Sequence, residues 1–125
     1  MAQSPTTFEL VVLFGPLMGH RRMLSTTSRL MIGRRVFTND NNYLSFPVPR
    51  RYQFSLRYDH ELQQFLFLNN SVLDITRING ELIEPEVACP LADRDIIEVE
   101  YQWMISHTAV KYETKYVRLG FSAVE

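Results

Sequence analysis

The feature that most constrains the fold of this chain is a hydrophobic alternation with a period of two residues. In residues 51–58, RYQFSLRY, the side chains of Tyr52, Phe54, Leu56 and Tyr58 alternate with polar ones. Residues 96–105 and 110–116 follow the same alternation, which is typical of strands with one buried face. No segment of helical length shows a period of 3.6 residues. The sequence therefore predicts an all-β protein.

Clusters of turn-forming residues separate these runs, so that candidate strands recur about every 8–12 residues. Asn79-Gly80 lies between apolar residues in ITRINGELI, and this pair is a strong hairpin signal because both residues accept positive φ. The spacing predicts an antiparallel β-sandwich or barrel. At 125 residues we expect one domain over residues 1–125, with a core at about 8–121 and a flexible N-terminus at 1–7.

The composition narrows the setting in which the chain works. No apolar run approaches the roughly 18 residues that a membrane span requires, and residues 1–10 lack the pattern of a secretory signal. The single cysteine, Cys89, cannot form an internal disulfide. We therefore expect a reducing compartment, either the nucleus or the cytoplasm, and no membrane partner.

A net charge of −1 conceals an asymmetry along the chain. Residues 1–57 hold eight arginines and no lysine against Glu9 and Asp40, a balance of +6. Residues 58–125 hold five basic and twelve acidic residues, a balance of −7. The split predicts one positive and one negative surface, unless the two halves neutralise each other across the fold.

The order of the motifs adds information that periodicity lacks. Along the chain stand FELVVLFGPLMGHRRMLS, RLMIGRR, YLSFPVPRRYQFSL, QQFLFLNN, ITRINGELI and CPLADRDIIEV. Over about residues 8–105 this order resembles a forkhead-associated (FHA) domain. The resemblance implies a β-sandwich of two twisted sheets with about eleven strands. It also implies a surface for reading phosphothreonine, built from loops at one end, and a nuclear setting.

Three elements of the FHA pattern match this sequence. Ile32-Gly33-Arg34 matches the Ile-Gly-Arg strand end, and Thr76, Ile78, Asn79 and Gly80 match the Thr-x-Val-Asn-Gly hairpin. Leu91, Asp95 and Ile96 (or Ile97) match the closing Leu-x-x-Gly-Asp-x-Ile element, in which Arg94 replaces the glycine. From this match we expect Arg34 and the Asn79-Gly80 bend to lie at the same end of the sandwich.

The phosphate-contacting positions of the FHA pattern do not match. The serine of Ser-Arg-x-His falls on Pro49 or Val48 and the histidine on Tyr52 or Arg51, depending on the register. Asp74 stands where the pattern has the asparagine that holds the peptide backbone. Two further departures concern the same loop: Ile75 stands at the following glycine, and Ser71 lies one position from the serine.

These losses carry a large expected cost for phosphothreonine binding. A phosphate with about two negative charges is held by charge-assisted hydrogen bonds. Each such bond contributes about 1.5–3 kcal/mol, so losing two weakens binding roughly 30-fold to a thousandfold or more. A carboxylate at position 74, about 6–8 Å from a phosphate, would add repulsion of about 2 kcal/mol. The resemblance therefore predicts a degenerate phosphothreonine site.

The arginines near these loops could still form an interaction site. The candidate partner-binding or phosphate-binding residues are Arg34, Arg35, Arg50, Arg51, Ser71, Asp74, Thr76, Arg77 and Asn79. Arginine forks suit carboxylate and phosphate alike, so an acidic or phosphorylated protein partner is one interpretation. Retained phosphothreonine reading through Arg34 and its neighbours is a second. A third is that the arginines are solvated, or pair with Asp40, Asp59 and Asp74.

Two other binding functions are open from the sequence. Met104, Val117, Leu119 and Phe121 could extend an apolar face that a homodimer covers. In RRYQFSLRY the arginines alternate with aromatic residues, as in some single-stranded nucleic-acid sites. Against nucleic acid, the alternation assigns Tyr52, Phe54 and Tyr58 to the core, and the pI is about 6.3.

The sequence offers no constellation typical of an enzyme. Cys89 has no histidine near it in sequence, and His20, His60 and His107 are scattered without metal-ligand spacing. Asp93 and Asp95 fall in a predicted turn before a strand. We therefore predict a non-catalytic protein-interaction module with no cofactor and no metal site.

Overall fold

A computed structural model describes residues 7–27, 29–34, 42–106 and 108–124. Eleven strands lie within these ranges. They are β1 (Thr7–Phe14), β2 (Arg21–Ser25), β3 (Arg29–Gly33), β4 (Tyr43–Ser45), β5 (Phe54–Asp59), β6 (Gln64–Asn69), β7 (Ile75–Ile78), β8 (Glu81–Leu82), β9 (Ala88–Leu91), β10 (Asp95–Ser106) and β11 (Lys111–Val124). Of the predicted flexible N-terminus, residues 1–6 lie outside the described ranges, and Thr7 belongs to β1.

The strands form two sheets. One has the order β2-β1-β11-β10-β7-β8 and the other the order β4-β3-β5-β6-β9. This architecture confirms the predicted all-β sandwich. One pair departs from the antiparallel pattern, because β3 and β4 are parallel. The described part of the chain contains no helix that is long and apolar enough to span a membrane.

A hydrophobic core lies between the two sheets, because each strand buries alternate side chains. Its largest fully buried members include Leu10, Ile32, Phe54, Leu56, Phe65, Phe67, Ile97, Leu119 and Phe121. Phe8 stacks on Phe121 with ring centroids 5.4 Å apart and meets Phe65 edge-on at 5.0 Å. Such pairs add to the free energy of burial. The aromatic contacts therefore join β1 and β11 of one sheet to β6 of the other.

The predicted alternation fails at the ends of two long runs. β5 begins at Phe54, so Tyr52 lies in the preceding turn with 53 % of its surface exposed. Near the far end of β10, Trp103 and Ile105 are each 54 % exposed, because β10 and β11 extend there as a two-stranded ribbon beyond the core. The periodicity of a strand persists where no opposing sheet remains to bury it.

The apolar face predicted for a homodimer is not a surface. Val117 and Leu119 are fully buried and Phe121 is 1 % exposed, since all three point from β11 into the core. Of that set only Met104 is exposed. Three of the four residues proposed for a self-association face are therefore core residues, and that assignment of the face was wrong.

The Asn79-Gly80 bend does not lie beside Arg34. Asp74 precedes β7 and contacts Arg50, whereas Asn79 follows β7 and donates to the Asp95 carboxylate at the start of β10. The four residues of β7 place the two positions about 13 Å or more apart, at about 3.3 Å per residue. The expectation of a shared end was wrong, because the hairpin motif spans the whole of β7 and its two halves reach opposite ends of the sandwich.

The turn chemistry itself was predicted correctly. Asn79 and Gly80 both have positive φ, 52° and 85°, as a tight hairpin requires. Arg94, which replaces the glycine of the closing element, also has a positive φ of 70°. The backbone at this position is therefore left-handed, a conformation that disfavours side chains other than glycine.

Replacing Arg94 by glycine is expected to stabilise the fold. Removing the Cβ relieves the left-handed conformation, and we expect the free energy of unfolding to rise by about 0.5–1 kcal/mol. Urea unfolding followed by circular dichroism measures the change. Arg94→Ala is the matched control and should give no gain, since it keeps the Cβ. An equal gain in both variants would assign the effect to the lost charge.

Candidate functional site

The end of β3 shows why a glycine precedes Arg34. A Cβ added at Gly33 would overlap the carbonyl oxygen of Arg51, so the segment at 50–51 can approach β3 only because residue 33 lacks a side chain. The Arg34 amide then donates to the Arg50 carbonyl at 2.8 Å. This close approach brings Arg34, residues 46–53 and residues 69–74 to one end of the sandwich, which we call the loop end.

Tyr43 ties two backbone segments of the loop end together. Its hydroxyl oxygen lies 2.6 Å from the carbonyl oxygen of Arg34 and 2.7 Å from that of Arg51, so its proton is shared between two acceptors. Burial raises the pKa of the Tyr43 hydroxyl above 10.0. The group therefore stays a donor at neutral pH, and the arginine backbones on both sides keep a defined separation.

Asp74 is the centre of a hydrogen-bond network. Arg50 donates to both carboxylate oxygens, from Nε at 3.0 Å and from Nη2 at 2.9 Å. The Gln53 amide donates at 3.1 Å and the Ser71 hydroxyl at 2.9 Å. The Asp74 side chain is fully buried, whereas that of Arg50 is 37 % exposed. A buried carboxylate requires such compensation.

Gln53 is the member of this network that the sequence did not predict. The alternation in 51–58 assigned it to the solvent face, but it is fully buried. Its side-chain carbonyl accepts the Arg50 amide at 3.0 Å, and its backbone amide donates to Ile32 at 3.0 Å. Because β5 begins one residue later, at Phe54, the alternation of the strand does not determine the orientation of Gln53, and its side chain points to Asp74.

The network determines the charge state of both ionised groups. Burial alone raises the pKa of Asp74, but the hydrogen bonds from Arg50, Gln53 and Ser71 together hold it below 3.8. The hydrogen bond to Asp74 raises the pKa of Arg50 above its ordinary value, although burial opposes it. The result is a neutral ion pair whose guanidinium already has an anion. Of the interpretations that the sequence left open for the arginines, pairing with Asp74 holds for Arg50.

Two candidate arginines at the loop end are in a different state. Arg34 is exposed, and its side chain forms no ion pair with any residue of the described ranges. Arg51 is also exposed and lies over the Tyr52 ring, with its guanidinium carbon 5.6 Å from the centroid. Arg35 lies outside the described residues. Arg34 and Arg51 therefore present their charges to solvent.

Three other candidates do not reach the loop end surface. Thr76 points into the core at 2 % exposure, and its hydroxyl has no hydrogen-bond partner among the described residues. Arg77 lies on the outer face of the six-stranded sheet, where it pairs with Glu98 at 3.3 Å and Glu100 at 3.2 Å. Asn79 is at the opposite end.

An open cleft of about 300 Å³ lies at the loop end. It is lined by Arg50, Arg51, Tyr52, Asn70, Ser71, Val72 and Leu73. Val72 and Leu73 are 77 % and 72 % exposed, and neither was predicted as a site residue because short apolar stretches in a turn carry no periodicity. The cleft combines a cationic side with an apolar side.

Comparison with known proteins shows which solved structures have the same fold as this chain. No family model and no curated protein matches the sequence. Among solved structures, the FHA domain of an Arabidopsis thaliana hypothetical protein superimposes with a TM-score of 0.69 at 17 % identity, over 100 % of this chain and 94 % of that chain. The N-terminal FHA domain of S. cerevisiae Rad53p, solved with a phosphothreonine peptide, gives 0.63 at 14 % identity over 94 % of each chain.

A bacterial structure gives the same result. The domain FHA-1 of Mycobacterium tuberculosis Rv1747 superimposes with a TM-score of 0.60 at 13 % identity, over 97 % of this chain and 99 % of that chain. All three structures are FHA domains and cover nearly the whole chain. The protein therefore has the FHA-domain fold, as the order of its motifs predicted.

Asp74→Asn is expected to destabilise the protein in a pH-dependent way. The amide cannot pair with Arg50, so at neutral pH we expect a loss of about 2 kcal/mol in the free energy of unfolding. Because the folded-state pKa of Asp74 is lowered, the wild-type advantage is fully present above its ordinary value of 3.8 and disappears as pH falls through the folded-state value.

Urea unfolding of both proteins between pH 7 and pH 2 measures this difference. Glu84→Gln is the control, since Glu84 has no ion pair with the described residues. A gap between wild type and Asp74→Asn that stays constant to pH 2 would show that the ion pair is not its source.

Proposed function

We propose that this protein is a non-catalytic protein-interaction domain that docks an acidic segment of a partner protein at the loop end. Arg34 and Arg51 supply the positive charge, and Tyr52, Val72 and Leu73 supply apolar contact. Phosphothreonine is not required for this docking. The proposal also includes an intracellular reducing setting, the nucleus or the cytoplasm, since a lone cysteine fits that environment.

The Asp74 network is the observation that carries this proposal. A phosphate reader needs free donors around its anion. Here the Arg50 guanidinium and the Ser71 hydroxyl both donate to Asp74, at the position where the FHA pattern has an asparagine. A phosphate that took over these same N–H and O–H groups would deprive the buried carboxylate of its partners, which is strongly unfavourable.

The structure changes the reason for expecting weak phosphate binding. The sequence suggested repulsion between a phosphate and an unpaired Asp74. Because Asp74 is paired with Arg50, its charge is largely offset and that repulsion is small. What weakens phosphate binding is the loss of donors, since each charge-assisted hydrogen bond is worth about 1.5–3 kcal/mol.

An acidic partner needs only the groups that remain free. The exposed guanidinium groups of Arg34 and Arg51 can each form a forked bond with a carboxylate. Beside them Val72 and Leu73 expose apolar surface at the edge of the cleft. Interfaces commonly combine arginine and aromatic residues with such apolar contact. A segment with one or two carboxylates next to an apolar side chain complements this surface.

The structure gives less support to the other three interpretations, which are phosphothreonine reading, nucleic-acid binding and homodimerisation. Phosphothreonine reading through Arg34 and its neighbours has the exposed Arg34 in its favour, and it is an outcome of the test below. For nucleic acid, Phe54 is buried and Tyr58 is half-buried against the core, so the aromatics of 51–58 do not form a stacking platform. Three of the four residues suggested for a homodimer face lie in the core.

Paired peptides distinguish docking from phosphate reading. We expect threonine and phosphothreonine peptides of otherwise identical, glutamate-rich sequence to bind within about threefold of each other, a difference below about 1 kcal/mol. Arg34→Ala and Arg51→Ala should each weaken both peptides about tenfold, because each removes a charge-assisted contact. Isothermal titration calorimetry measures both effects.

Arg94→Ala is the matched control, since Arg94 is exposed and immediately precedes β10 at the opposite end of the sandwich, beside the Asn79–Asp95 contact. Preferential binding of the phosphothreonine peptide by a hundredfold would support the phosphothreonine reader instead. Peptide binding that survives both Arg34→Ala and Arg51→Ala would show that the loop end is not the interface.

A further inference from the structure

The outer face of the five-stranded sheet carries a second cationic and apolar surface. Leu30 and Leu56 of the β3–β5 pair face the core, so the neighbouring positions face outward. Arg29 and Arg57 occupy two of these outward positions and are directly opposite each other in the register. Both are exposed. This surface lies outside the residues used in the proposed function.

Two like charges directly across a strand pair are unfavourable unless something lies between or beside them. Neither Arg29 nor Arg57 forms a salt bridge with any residue in the described ranges. Asp59, the next outward position of β5, is engaged elsewhere: its Oδ1 accepts the amides of Glu61 and Leu62 at 2.9 and 3.1 Å. The fold therefore brings together two guanidinium groups that lack an anion.

A shallow groove of about 220 Å³ begins at these arginines. Across it the outward positions of β6, Leu66 and Leu68, are apolar and only partly buried, and Ala88 of β9 closes the far side. Outward strand positions facing solvent are normally polar. The near-continuous apolar run of β6 thus serves two faces, with Phe65 and Phe67 in the core and the two leucines in the groove.

We propose that this groove binds an extended acidic and apolar segment of a partner protein. A carboxylate of the segment lies between Arg29 and Arg57, and an apolar side chain two residues away enters the groove at Leu66 and Leu68. In an extended segment, residues two apart lie on the same side and are separated by about 6.5–7 Å. Neighbouring strands lie about 4.8 Å apart, so the midpoint between β3 and β5 is about 7 Å from β6, which matches this spacing for a segment that crosses the strands.

Charge complementarity favours a carboxylate-bearing protein segment as the occupant. Two arginines provide a forked site for one or two carboxylates, while a nucleic-acid strand needs a basic track with aromatic platforms. None of the groove-lining residues is aromatic. The apolar lining adds a requirement that a free anion cannot meet. Selectivity therefore depends on an acidic and an apolar side chain in the same segment.

Peptide binding to the isotope-labelled full chain, observed by nuclear magnetic resonance, tests the inference. The probe is a peptide of alternating aspartate and leucine, with aspartate–serine and lysine–leucine peptides for comparison. We expect the aspartate–leucine peptide alone to shift the amides of β3, β5 and β6. Arg57→Glu should weaken its binding at least tenfold, and Leu66→Ser should weaken it as well.

The variants separate this groove from the loop end. Arg57→Glu should fold, because the new carboxylate lies opposite Arg29 and forms a favourable cross-strand pair. Arg51→Glu is the control and should leave these shifts unchanged, even if it removes docking at the loop end. Equal binding of the aspartate–serine peptide, shifts confined to residues 69–74, or no shift in β3, β5 and β6 would each overturn the inference.

Discussion

The buried carboxylate of Asp74 is the interaction on which the loop end depends. Its partners Arg50 and Gln53 lie in the loop between β4 and β5 of the five-stranded sheet, while Ser71 and Asp74 lie in the connection that leads from β6 into β7 of the other sheet. The network therefore links the two layers of the sandwich. Because a buried charge without partners is costly, all these segments must keep their relative positions whenever the carboxylate is ionised.

The same network occupies the hydrogen-bond donors nearest the cleft. The Arg50 guanidinium and the Ser71 hydroxyl both donate to Asp74, so the loop end of this FHA-type fold contains its own internal anion. Exposed arginines without an ion pair in the described residues include Arg34 and Arg51 at one end and Arg29 and Arg57 on a sheet face, and these groups can meet an external anion. The predicted charge asymmetry is only partly offset across the fold: among the described residues, Arg50 of the first half pairs with Asp74 of the second half, and no other first-half arginine pairs with a second-half acid.

The two-layer fold, most of its strands and the Asn79-Gly80 turn could be predicted from the sequence, because alternation and turn chemistry are local properties. The pairing of Arg50 with Asp74 was one of several interpretations, since 24 residues separate the partners. Gln53 could not be predicted, because its burial depends on where β5 begins. The predicted burial of Tyr52 and Trp103 and the predicted location of the Asn79-Gly80 bend were wrong for a related reason. Periodicity shows which side of a strand a residue lies on. It does not show whether another layer covers that side, or at which end of the sandwich a motif lies.

The ribbon formed by the far ends of β10 and β11 has a spectroscopic consequence. Trp103 is the only tryptophan of the chain and is 54 % exposed on this ribbon, whereas the phenylalanines that hold the sheets together are buried. Its indole is already largely hydrated in the native state. The intrinsic emission of the protein therefore reports contacts made by the ribbon, and a blue shift on adding a binding partner would locate that partner there even though the core is unchanged.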